Sequence, residues 1–115
     1  MTADRLADYL DHMRQAATDA RTFVQGHSLA SFRGDRRTQQ AVIMSLVIIG
    51  EAATKIMDAY PAFAESRPDI PWRAMRGMRN RMTHGYFDTD LDIVWQTVQT
   101  SIVDLTEALD AGEQR

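Results

Sequence analysis

The chain has no cysteine, which excludes disulfide frameworks, thiolate zinc sites and cysteine nucleophiles, and is compatible with a reducing cytoplasm. Glycine is sparse, and neither a phosphate-cradling glycine loop nor a nucleophile-elbow serine occurs. All three prolines, Pro61, Pro68 and Pro71, fall in "PAFAESRPDIP". That stretch reads as a connection holding at most a short helical turn, with Pro71 suited to the first turn of the next helix. The longest apolar run, "AVIMSLVIIG", is roughly half of what a membrane span needs. The start, "MTADRLADYL", carries acids and no apolar core of signal-peptide length. A soluble cytoplasmic protein without membrane contact is expected. Acid is also missing locally: residues 70–87 hold Arg73, Arg76, Arg79 and Arg81 but no Asp or Glu, a basic island on a chain of formal net charge −3.

What is present reads as helix. A hydrophobic fraction of 44% with 25% charged residues suits a folded domain and argues against disorder, and 115 residues make a single domain spanning 1–115. Leu6, Leu10, Met13, Ala17, Ala20 and Val24 recur at helical spacing before Gly26, a natural stop. Asp35 is an N-cap candidate for a second helix running to Tyr60, where Pro61 ends it. The centre of that helix is apolar all round, which places it centrally or at an oligomer interface. A last helix after "DTDLD" carries Leu91, Val94, Trp95, Val98, Ile102, Leu105 and Leu109 along one side. Strand-like alternation is absent. Four main helices with short connections predict an all-α, up-and-down bundle.

The chemistry concentrates in "MRNRMTHGY", residues 78–86. At about 100° per residue, Met75, Met78 and Met82 form a core stripe, and Arg73, Arg76, Gly77, Asn80 and His84 gather on the opposite side with Arg79 at the flank. Clustered arginines attract phosphate, nucleic acid or a partner's carboxylates; the plainer reading is a face neutralised by neighbouring acids. Mid-helix Gly77 suggests close approach of another backbone or a ligand. His84 followed by Gly85 also reads as an ordinary helix end, with imidazolium against the dipole and glycine in the left-handed position. Tyr86 reads as a ring over that end. Glu51 interrupts the apolar second helix, either pairing with Lys55 one turn on or reaching the basic helix to position Arg79 or His84. Asp8 and His12 are two ligands without a third, and "DTDLD" lacks the glycine and glutamate of a calcium loop, so no metal site is expected.

The order Arg79, Asn80, three residues, His84, one residue, Tyr86, together with "IPWRAMRGM", "FDTDLDIVW" and "TQQAVIMSLVIIGEAATKI", resembles the HEPN-domain ribonucleases, and among them the HepT type of toxin. The resemblance runs from about Thr38 to Trp95. It implies a four- to five-helix HEPN bundle, a homodimer with the two motifs facing across a cleft, and RNA cleavage through the 2′-hydroxyl without metal or cofactor. In that picture Arg79, Asn80 and His84 are catalytic, Arg73, Arg76 and Arg81 hold the RNA backbone, and Glu51 supports the site. It further implies a type VII-like toxin-antitoxin pair, in which a cognate minimal nucleotidyltransferase antitoxin silences the toxin by AMPylating Tyr86. A catalytically silent HEPN-like dimer that binds nucleotide, RNA or a protein partner is the alternative expectation.

Overall fold

The computed structural model describes residues 4–113. These form α1 (Leu6–Phe23), α2 (Leu29–Arg33), α3 (Arg36–Ala59), α4 (Pro61–Ser66), α5 (Trp72–His84), a 3-10 turn (Tyr86–Asp88), α6 (Leu91–Gln99) and α7 (Ser101–Glu113). No strand occurs among the described residues. The all-α bundle expected from periodicity is the observed architecture.

α3 is the central element, packed by α1 on one side and α5 on the other, while α7 returns along α1. α1 buries Met13, Ala16, Ala17 and Ala20, and its alanines allow the two long helices to approach closely. α3 is not covered all round. Val42, Leu46, Ile49, Ala53 and Ile56 are sealed in the core, whereas Met44 is 57% and Ile48 41% exposed, so one apolar strip faces outward. α3 contains an 18-residue stretch long and apolar enough to cross a membrane, more than its short continuous run suggests, yet half of that stretch is buried within the protein.

Local chemistry sets the boundaries. Asp35 caps α3, accepting from the Thr38 backbone N–H at 3.1 Å and its hydroxyl at 2.8 Å. These bonds hold the Asp35 carboxyl below its usual range. Asp90 caps α6 through the N–H groups of Asp92 and Ile93. Gly26, just beyond α1, has φ +79°, a left-handed geometry that glycine adopts freely. α2 is tied to α6 by Phe32 against Trp95, with ring centroids 5.4 Å apart, and by the two-pronged Arg33–Asp92 ion pair at 2.8 and 2.6 Å.

Four details depart from expectation. The connection between α3 and α5 holds a six-residue helix, α4, with Pro61 in its first turn, and Pro71 is the N-cap of α5 and not a residue of its first turn. Gly85 has φ −126°, outside the left-handed region. The last helix breaks at Thr100 (φ −121°, ψ −69°). Thr97 and Thr100 donate to the carbonyls of Ile93 and Gln96 at 2.7 and 2.9 Å, while the backbone bonds from Thr100 to Gln96 and from Asp104 to Thr100, each 3.0 Å, carry the ladder across the bend. The apolar stripe survives the break, since Val94, Val98, Ile102, Leu105 and Leu109 all stay buried.

Candidate active site

α3 and α5 cross at Gly50. A Cβ there would lie 2.7 Å from the Met75 carbonyl oxygen and would overlap the Arg79 side chain, so only glycine admits this approach. The crossing delivers Arg79 onto the polar residues that interrupt α3. Arg79 Nη1 donates to Glu51 Oε1, and Nη2 donates to Thr54 Oγ1 at 3.3 Å. Thr54 in turn donates to the Gly50 carbonyl at 2.8 Å. Of the two readings of Glu51, the structure takes the pairing with Arg79 and not with Lys55. Arg79 is therefore a held cation, its guanidinium fixed from two sides with further N–H groups left over.

His84 occupies the last turn of α5. Its Nδ1 lies 3.0 Å from the Asn80 carbonyl oxygen, and a carbonyl only accepts, so Nδ1 carries the proton. In its neutral form the ring then presents Nε2 as a bare lone pair, the form a proton acceptor needs. Thr83, whose hydroxyl donates to the Arg79 carbonyl at 3.0 Å, also stands 3.4 Å from Nδ1. The Asn80 side chain is exposed on the same face, and it is the Asn80 backbone that orients the ring.

Beyond the helix, Tyr86 is 41% and Phe87 99% exposed, with their rings edge to face at 5.9 Å. Tyr86 also borders an apolar cavity of about 450 Å³ shared with Met44 and Val47 of α3. Its hydroxyl makes no hydrogen bond among the described residues.

The other arginines divide. Among the described residues the side chains of Arg73, Arg76 and Arg81 make no direct ion pair, although the acids Asp58 and Glu65 stand beside Arg73 and Arg76. Arg73 and Arg76 border a groove against α4. Arg81 instead borders clefts facing α6 and α7, and its guanidinium folds back to 3.5 Å from where a Cβ on Gly77 would be. Gly77 thus adjoins a side chain of its own helix and no other backbone. Among the described residues no three His, Asp or Glu groups are placed to share a metal ion.

Sequence reading placed Arg79, Asn80, His84 and Glu51 together, and missed Gly50 and Thr54. A signal existed: Gly50, Glu51 and Thr54 are small and polar positions that share one side of the helix just past its apolar centre.

Comparison with known proteins adds a decisive observation. The family model described as ribonuclease HepT-like matches residues 13–111. The chain belongs to the ribonuclease HepT-like family. A protein of Thermococcus cleftensis named "Probable ribonuclease HepT" is 38% identical over 98 residues, covering 85% of this chain and 86% of that protein. Proteins named provisionally as RNases share 33% identity in Methanocaldococcus jannaschii, over 81% of this chain and 71% of that one, and 33% in Caldanaerobacter subterraneus, over 84% of each. No solved structure matches significantly. In this HepT-like chain the matched span includes every residue of the α3–α5 crossing and the turn that carries Tyr86.

Proposed function

We propose that this HepT-like protein is an endoribonuclease that cuts RNA through the substrate's own 2′-hydroxyl. The single observation carrying the reading is the His84 ring, held through Nδ1 by the Asn80 carbonyl with Nε2 free, on the same helix as a guanidinium anchored by Glu51 and Thr54. Nε2 of His84 takes the 2′-hydroxyl proton as the oxygen attacks phosphorus. The P–O2′ bond forms, the P–O5′ bond breaks, and the leaving 5′-oxygen gains a proton from Nε2 of His84 in the second copy of the motif, that ring being in its imidazolium form. The products are a 2′,3′-cyclic phosphate and a 5′-hydroxyl. Arg79 stabilises the added charge on the non-bridging phosphate oxygens. Asn80 faces the same space for phosphate or ribose.

A homodimer brings the second motif. Exposed Met44 and Ile48, continuous with the cavity beside Tyr86, offer an apolar surface next to the site, and a twofold contact across it would align two copies of α5. The resemblance to HepT toxins supports a toxin role and a nucleotidyltransferase antitoxin that transfers AMP to Tyr86.

The test is cleavage of single-stranded RNA by protein produced without any partner, in chelator. Products should end in 2′,3′-cyclic phosphate, and His84→Ala should slow cutting by about 10²–10⁴-fold while RNA binding persists. A His84→Ala protein as fast as the parent overturns the reading.

A further inference from the structure

The proline-rich connection, which the catalytic reading leaves unused, forms one wall of a groove of about 460 Å³ between α4 and α5, within the usual range for small-ligand sites, roughly 300–1,000 Å³. Pro61 and Pro68 supply apolar surface on the α4 side and Trp72 on the α5 side. Trp72 is buried, and its indole N–H donates to the carbonyls of Ala64 and Arg67 at 3.0 and 3.1 Å, so the wall is rigid. Two cations, Arg73 and Arg76, and two carboxylates, Asp58 and Glu65, border the same groove. Among the described residues none of these four side chains makes a hydrogen bond or ion pair. Four uncommitted charges around a firm apolar slot are complementary to a ligand with an anionic part, a flat apolar part and an edge of hydrogen-bond donors.

A nucleotide has that constitution. Arg73 and Arg76 lie on the same side of α5 as His84, with Arg76 about 12 Å from it along the helix axis at 1.5 Å per residue, a distance that a short single strand bridges. We propose that the α4–α5 groove is a base-reading subsite for the RNA, its occupant a nucleotide a few positions from the cut. The phosphate sits on Arg73 and Arg76, the base lies against Pro61, Pro68 and Trp72, and its amino edge donates to Asp58 and Glu65. Carboxylates only accept. The groove therefore favours guanine, whose adjacent N1–H and N2 amino hydrogens match one carboxylate in two-pronged fashion, over uracil, which has a single N–H and two carbonyls. This deepens the ribonuclease reading and rests on it for the identity of the substrate.

Two measurements separate the groove from the nuclease. In the first, 5′-GMP or 5′-UMP is titrated into the whole protein while the indole N–H resonances are followed by NMR. Trp72 should move and Trp95, on α6, should not, with UMP needing about tenfold more nucleotide than GMP. In the second, short RNAs with single-base changes are cut, and guanine at one fixed distance from the scissile bond should be favoured over uracil by about tenfold. Asp58 and Glu65 are exposed, so Asp58→Asn/Glu65→Gln should fold normally, as circular dichroism will check, and it should flatten both preferences to within about twofold. A guanine preference that survives in that double variant, or GMP and UMP that act alike or not at all on Trp72, overturns the subsite. Normal cutting without a selective Trp72 shift removes the subsite and leaves the nuclease standing; a selective shift in a protein that cuts no RNA keeps the groove and removes the nuclease.

Discussion

Gly50 of α3 and Arg79 of α5 occupy the same point of the helix crossing: the missing side chain of one is the space that the side chain of the other fills. Close approach brings the α3 carboxylate and hydroxyl of Glu51 and Thr54 to the guanidinium. The packing of the bundle and the placement of its central cation are thus a single event.

Gly50→Ala should force the crossing apart, because the obstructing Met75 carbonyl is backbone and cannot swing away. Overpacking of this kind costs about 1–3 kcal/mol, which at this size lowers Tm by roughly 5–15 °C, and RNA cleavage should fall with the displaced Arg79. Gly77→Ala is the control. Its Cβ would meet only the tip of Arg81 at 3.5 Å, and replacing a mid-helix glycine should raise stability by up to about 1 kcal/mol. Thermal unfolding of the two variants gives opposite signs if the crossing is as described.

Glu51→Gln removes the charge that holds Arg79. The pair is partly exposed, so solvent screening limits its share of stability to about 1 kcal/mol or less. Its share of activity should be larger. A mispositioned guanidinium should lower kcat by about ten- to a hundredfold with KM little changed, and a variant with parental kcat would show that Glu51 does not position Arg79 for the reaction.

Tyr86 should link the site to its regulator. Incubation with the proposed nucleotidyltransferase antitoxin, ATP and magnesium should raise the mass by whole AMP units, and Tyr86→Phe should abolish the gain while remaining folded, since Tyr86 is exposed and its hydroxyl makes no hydrogen bond among the described residues. Cleavage should decline in step with modification, because each phosphodiester adds negative charge close to the positions RNA phosphate must take. A modified protein that cuts like the unmodified one would exclude control through Tyr86.

Acid should loosen the α2 end of the bundle first. Asp92 is held below the usual carboxyl range by its hydrogen bonds to Arg33, and Asp35 by its bonds to Thr38. A lowered folded-state value means that the contribution is complete above the unfolded value, about 3.9 for Asp, and is lost as pH falls through the folded one. Tm measured from pH 6 down to pH 2.5 should drop less steeply in Asp92→Asn and Asp35→Asn than in the parent, the variants starting lower at pH 6.

Much of this was legible from the chain alone. Apolar spacing located the main helices, Asp35 and the run "DTDLD" marked two starts, and the order of Arg79, Asn80, His84 and Tyr86 pointed to the candidate site at the end of α5, because caps, stripes and motifs are local or periodic properties. Local signals misled where neighbouring groups compete. The last helix bends at Thr100 although its apolar stripe runs on, and Gly85 did not need the left-handed position that its place after His84 suggested.

What the sequence by itself determined is the inventory: which faces are apolar, where helices stop, and which groups able to move a proton or meet a phosphate share a helix. Tertiary structure alone decided how they are used. It chose Arg79 over Lys55 for Glu51, drew in Thr54, made Gly50 indispensable and Gly77 dispensable, and opened the α4–α5 groove that leaves Asp58, Glu65, Arg73 and Arg76 uncommitted. Each of these depends on the distance and rotation at which one helix lies on another. Side-chain volumes from several separate segments set that geometry together, so no single stretch of sequence contains it.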